Sequence, residues 1–240
     1  GEKNSEGDIF VKRTIELAAK APGMQAMIAD GVVRDVHRAE IIRQTGLTVM
    51  SPTHAASKDS KSGDRTEKER LIKVEQFDRA GADPVEVEVW ACAGRLCQMI
   101  YAVDGTRLLE PLKRLRTMNQ PNADGTWRSY VSYALPDPSG VGTRTVTVSA
   151  LTSPEDRARG LLRGEYIHQI PPSDPDWRDL YPRRSDSESI NRGIDDHLPI
   201  RRARSYGAKR QLFDLLCHQF AVNSLARSRH RRRSTQALAA

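Results

Sequence analysis

The chain has 240 residues and a mass of 26.8 kDa, with 38 Lys+Arg against 31 Asp+Glu, a net charge of +7 and a mean hydropathy of −0.60. That length accommodates one large domain, or one domain with an insertion, and a core that needs no disulfide or metal staple. No stretch approaches the ~20 apolar residues of a membrane span, and the opening GEKNSEGD lacks a hydrophobic signal core. A chain that opens on Gly1 rather than Met is expected to have been cut from a longer one.

Residues 8–21 place Phe10, Thr14, Leu17, Ala18 and Ala21 on one helical face, with Asp8 as the expected N-cap. MQAMIAD (24–30) reads as a short buried strand ending in a carboxylate. A helix through Gln44 follows, closed by Gly46, and LTVM (47–50) is a second short strand stopped by Ser51-Pro52. This alternation predicts an α/β core. Residues 53–83 are polar and charged and predict a long loop entering an insertion. Val85, Val87 and Val89 alternate with Glu86 and Glu88, which predicts a half-exposed strand, a turn at Ala93-Gly94 and a second strand. LEPLKRLRTM reads as helix. TWRSYVSYAL and TRTVTVSAL read as strands around the turn residues of PDPSGVG. Residues 154–170 read as helix with Ser153 as cap and Pro154 in the first turn, followed by a proline-punctuated connection. Two further helices are expected, from Tyr181 to Asp195 and over 205–233.

Charge is concentrated at the end of the chain. Residues 201–240 hold ten basic residues and one acidic residue, Asp214, for +9, while the other 200 residues come to −2. A cationic end attracts polyanions, either nucleic acid or an anionic membrane; the alternative is a solvated basic tail. The three cysteines, Cys92, Cys97 and Cys217, suit a reducing compartment, and Cys92 and Cys97 read as core residues on paired strands rather than zinc ligands.

The sequence has no Gly-rich phosphate loop, HExxH or Gly-x-Ser-x-Gly. Two carboxylates stand out. Asp30 closes a buried strand, at the edge where open α/β sheets bind ligands; the alternative is a turn or capping aspartate. Glu188 lies in YPRRSDSESINRGID, where Tyr181, Arg184 and Glu188 fall within about 60° of one another on a helix; the alternative is a solvated face with an i,i+4 ion pair.

Tyr181-x2-Arg184-x3-Glu188 resembles the signature of insertion-sequence transposases with an Asp-Asp-Glu triad. AMIADGVVRDVHRAEIIRQTG and the segment from SESIN to RSRHRRR are similar to parts of the same family, so the resemblance spans most of residues 8–233. Where the signature continues with Lys after six intervening residues, this chain has Asp195. The resemblance implies a ribonuclease-H-like α/β core that lacks its N-terminal strands and carries a β-rich insertion and C-terminal helices. It implies a partial core over 1–52, a linker and β-rich insertion over 53–153, a C-terminal helical part over 154–226 and a basic tail over 227–240. Asp30 matches the second catalytic Asp and Glu188 the Glu; both are expected to ligate Mg²⁺ or Mn²⁺ in a two-metal site. The first Asp has no matching strand here, so activity of the chain alone is expected to be impaired. Tyr181, Arg184, Arg192, Arg201, Arg202, Arg229, Arg231, Arg232 and Arg233 are the expected DNA contacts.

The implied function is metal-dependent DNA cleavage and strand transfer, with transposon ends and target DNA as partners, a homodimer in the synaptic complex, no membrane, and a bacterial cytoplasmic, nucleoid-associated location. The alternative is a non-catalytic DNA-binding remnant or a reused transposon protein.

Overall fold

The computed structural model describes residues 5–29, 31, 33–52, 56–58, 65–67, 69–79, 82–185 and 208–238. The chain divides into two compact units, Gly1–Tyr181 and Pro182–Ala240. The described residues are mixed α/β with several sheets.

The first unit opens with α1 (Glu6–Lys20), β1 (Ala26–Ile28), α2 (Asp35–Thr45) and β2 (Thr48–Met50). β1 and β2 pair in parallel, Met27 opposite Val49, and the pairing extends to Ala29 N–H on Met50 O at 2.8 Å. Two parallel strands need a crossover, and α2 supplies it. Ala29, Val33, Ile41, Ile42, Leu47 and Val49 are buried, with Phe10, Val11 and Ala18 of α1 packed on them. Leu17 is half exposed, so Val11 stands in its expected place on the packing face. Helix α1 begins earlier than expected. Ser5 is the N-cap, and Asp8 returns the bond to Ser5 as the second half of a capping box. Gly46 ends α2 at φ 69°, as its spacing predicted; a Cβ there would also lie 2.4 Å from the Trp127 ring.

The middle of the chain is β structure. β3 (Ala56–Lys58) pairs with β4 (Arg65–Glu67). β5 (Glu69–Arg79), β6 (Ala82–Cys92), β7 (Arg95–Tyr101) and β8 (Arg107–Pro111) form an antiparallel meander. β9 (Lys113–Pro121), β10 (Trp127–Pro136) and β11 (Thr143–Ser149) form a second antiparallel sheet, ordered β11-β10-β9. The meander and the second sheet share one core that includes Phe77, Val89, Leu96, Leu112, Val131, Tyr133, Leu135 and Val146. Ala93 (φ 50°) and Gly94 (φ 83°) make the two-residue turn between β6 and β7. Cys92 and Cys97 are buried on these paired strands.

Two expectations fail in this region. The stretch 53–83 is not one long loop, because β5 runs through its second half. Register shifts at Leu71/Lys73 and Phe77/Arg79 break the two-residue period that would have marked β5 in the sequence. LEPLKRLRTM is not helical, although its leucines have helical spacing. Leu108–Pro111 lie in β8 and Lys113 opens β9. Pro111 offers no N–H to a helix, the buried Leu112 donates its N–H to Leu96 O at 2.9 Å, and pairing on both sides decides the conformation.

The end of the first unit is also broken up. The helix expected over 154–170 is two short ones, α3 (Pro154–Ala158) and α4 (Arg163–Tyr166), separated at Gly160 with φ 68°. The Ser153 cap and Pro154 stand as expected. α5 (Pro175–Leu180) and a 3₁₀ turn (Tyr181–Arg183) follow. Of the helix expected over 181–195, the described part is this turn and the helical residues 184–185; residues 186–195 lie outside the described residues. The second unit contains α6 (Ala208–Leu238), which carries residues 227–238 as continuous helix rather than as a separate tail.

One side chain joins the parallel pair to the β body. Gln169 is 2% exposed. Its Oε1 accepts Val49 N–H at 2.7 Å, and its Nε2 donates to Leu47 O at 3.3 Å, to Asn119 Oδ1 at 3.0 Å and to Ser129 Oγ at 3.0 Å. It serves the open edge of β2 as a neighbouring strand would.

Candidate functional site

The C-terminal ends of β1 and β2 open onto a cleft of about 750 Å³. Gly31, Val33 and Pro52 come from the strand ends, Arg34–Arg38 from α2, Ser5–Gly7 from the start of α1, and Gly164, Glu165 and His168 from the segment around α4. Asp30 falls between Ala29 and Gly31 in sequence and lies outside the described residues, as do Glu188, Arg192, Arg201 and Arg202.

A buried polar cluster forms one wall. Arg38 is 7% exposed; its Nη1 lies 2.8 Å from His168 Nε2, and its Nη2 donates to Gly164 O and stands 3.9 Å from Asp35 Oδ1. A guanidinium has donors alone, so His168 Nε2 accepts and the imidazole proton sits on Nδ1. Burial first, and the Arg38 charge second, hold His168 well below its ordinary pKa, as a neutral ring. Burial raises the Asp35 carboxyl, against the pull of Arg38. No local motif marks this group, because Arg38 and His168 are 130 residues apart.

His37 belongs to the scaffold. Its Nδ1 accepts Arg34 N–H at 3.4 Å, its Nε2 stands 3.6 Å from Asp8 Oδ1, and its ring fills the space beside Gly7, where a Cβ would lie 2.0 Å from it. It therefore closes the start of α2 and holds α1 against it.

Tyr181 stacks on Trp177 with ring centroids 4.5 Å apart and planes 13° from parallel, packed against the buried cluster of Met50, Ile170 and Trp177. The ring anchors the end of the first unit in the same cluster as β2's buried Met50. Arg184 is half-buried in the second unit.

On α6, Arg227, Arg229, Arg231 and Arg232 are exposed, and the helix continues through Arg233. At about 100° per residue, Arg227 and Arg231 share a face, while Arg229 and Arg232 point elsewhere. The same helix exposes Leu212, Phe213, Leu216 and Phe220 nearer its start.

Among the described residues no group of three His, Cys, Asp or Glu side chains is placed to hold a metal ion, and no helix is long and apolar enough to cross a membrane. Comparison with protein-family models, with curated proteins and with solved structures found no match.

Proposed function

We propose that this chain is the later part of a DDE-type DNA transposase core, acting in metal-dependent DNA cleavage and strand transfer, with Asp30 and Glu188 as carboxylate ligands. The observation that carries this reading is the parallel β1–β2 pair opening at its C-terminal edge onto a 750 Å³ cleft, with Asp30 two residues past the end of β1 in sequence. Glu6, Asp35 and Glu165 also border this cleft but are not grouped to hold a metal ion, so the hard oxygen donors that Mg²⁺ and Mn²⁺ take would be Asp30 and Glu188. Bound there, such ions would neutralise charge on a phosphodiester. The Arg38–His168–Gly164 bonds keep that wall rigid. Arg184 and the α6 arginines provide cations for the DNA backbone.

The test is Mn²⁺ binding by the full chain, with cleavage of a transposon-end duplex alongside it. Asp30→Asn and Glu188→Ala are each expected to weaken Mn²⁺ binding and to remove any cleavage. Metal binding and cleavage indifferent to both substitutions overturn the reading.

A second reading is favoured by α6 itself. Four exposed arginines near the end of one continuous helix suit polyanion binding without any metal. A non-catalytic DNA-binding protein would lose DNA affinity on deletion of residues 227–233, keep it in Asp30→Asn, and show no metal requirement.

A further inference from the structure

A second cleft, of about 460 Å³, lies in the first unit between the start of β7, the β8–β9 junction, β10 and α5. Two buried polar atoms among its lining residues, Arg95 Nε and Tyr133 Oη, have no hydrogen-bond partner among the described residues. Leaving such groups unpaired is costly, and native interiors rarely do so without a water, an ion or a ligand to meet them.

The rest of Arg95 is fixed. Nη1 donates to Ser173 Oγ at 2.8 Å and Nη2 to Leu112 O at 2.9 Å, both neutral acceptors. The guanidinium is thus aimed, with one N–H unused. Tyr133 is fully buried, and burial pushes its phenol well above the ordinary value, so it remains a neutral O–H donor. The backbone N–H of Leu96 lies toward this phenol, but an N–H is a donor and leaves the phenol's own proton without an acceptor.

Arg114, in the same cleft, is committed differently. Its Nε and Nη2 hold both oxygens of Asp174, at 2.7 and 2.9 Å, and Nη2 also reaches Asp176. Those two carboxylates more than balance the Arg114 charge. Among the described residues Arg95 has no carboxylate within ion-pair distance, and Lys113 adds a second cation to the rim. The cleft therefore offers two unpaired donors and a net charge of about +1 from the residues that line it.

From this we infer that the cleft between Arg95 and Tyr133 is a phosphate-binding site, taking the oxygens of a free phosphate or of a nucleic-acid backbone on Arg95 Nε–H and the Tyr133 hydroxyl. A phosphate oxygen accepts from both donors and answers the Arg95 charge, which a water cannot do. The site is separate from the cleft at β1–β2 and does not depend on the reading of that cleft.

The test titrates inorganic phosphate into the full chain in a phosphate-free buffer, followed by calorimetry and by the Arg Nε–H signals in NMR. Saturable binding with a Kd on the order of millimolar is expected, with one Arg Nε–H signal shifting. Tyr133→Phe keeps the ring and fills the same space; it should leave the melting temperature within a few degrees and weaken phosphate about 5- to 10-fold. Arg95→Gln should weaken it further. No saturable binding up to ~50 mM, or equal affinity in the parent and a folded Tyr133→Phe, overturns the proposal. A short single-stranded oligonucleotide then separates the two sources. Competition with phosphate and the same sensitivity to Tyr133→Phe identify a backbone phosphate as the ligand; oligonucleotide binding indifferent to Tyr133→Phe identifies free phosphate. Either result upholds the site.

Discussion

Gln169→Leu removes the amide that completes the edge of β2. The replacement has similar bulk and leaves Val49 N–H and Leu47 C=O, both buried, without the partners they have at 2.7 and 3.3 Å. Ser129 Oγ loses a donor at 3.0 Å, whereas Asn119 retains its own bond to Gly46 O at 2.7 Å. Each buried orphan costs about 1–3 kcal/mol, and the apolar side chain returns part of this, so a net loss of about 3 kcal/mol is expected. At this chain length that corresponds to a fall in Tm of roughly 6–12 °C. Urea unfolding and a thermal melt read it directly. Gln169→Glu is a second probe. At neutral pH it buries a carboxylate facing Leu47 O, and protonation restores a donor, so this variant should gain stability relative to the parent as pH falls. A loss below about 1 kcal/mol in Gln169→Leu would refute the claim that this amide takes the place of a strand. Because Pro52, two residues past β2, lines the larger cleft, the same substitution should also weaken any ligand bound there.

Asp156 is 1% exposed and accepts bonds from Ser153 N–H, Arg159 and Arg163. Burial alone would raise its carboxyl, but Arg163 and the Ser153 backbone outweigh it and hold the pKa at about 2, from an ordinary 3.8. The folded value is the lower one, so the contribution, about 2 kcal/mol, is complete above the ordinary value and lost as pH falls through about 2. Urea midpoints of Asp156→Asn and the parent should therefore differ at pH 7 and converge toward pH 2. His168 is held neutral in the fold but takes a proton readily once unfolded, so it costs stability progressively below its ordinary 6.5. His168→Gln should flatten the parent's loss of stability between about pH 6.5 and 5, and an unchanged slope in denaturation would discount the buried neutral ring. On α6, Arg227→Ala with Arg231→Ala removes the two arginines that share a face. The slope of log K against log salt for duplex DNA should become shallower by about 2, while a slope that does not move would show that this face makes no DNA contact. Gly46→Ala forces φ 69° on a residue with a Cβ and drives it into Trp127; a loss of about 1–3 kcal/mol on urea unfolding is expected.

Legibility along the chain followed the range of the interactions. The helix over 208–238, the α2 stop at Gly46, the Ser153-Pro154 cap and the Ala93-Gly94 turn rest on contacts within a few residues, and local residues announced them. β5, β8 and β9 did not announce themselves. Bulges spoiled the alternation of β5, and the leucines of 108–115 imitated a helix until strands 97–101 and 127–136 paired with them. At the larger cleft the short strand before Asp30 was readable, because its apolar run is local, but β1 is exposed to half-buried rather than buried. The Arg38–His168 contact and the role of Gln169 at β2 were not readable, since 130 residues separate Arg38 from His168 and 120 separate Gln169 from Val49.

By itself, then, the sequence determined the partition of charge, the alternating α/β start, the β-rich middle and the basic helix, all carried by composition and short-range periodicity. Tertiary structure alone decided which polar side chains are buried together. A neutral histidine against a buried guanidinium, an amide acting as a strand edge, and unpaired donors of Arg95 and Tyr133 in one cleft arise because distant segments exclude water from the same space. Exclusion of water is a property of packing, and no local pattern of residues encodes it.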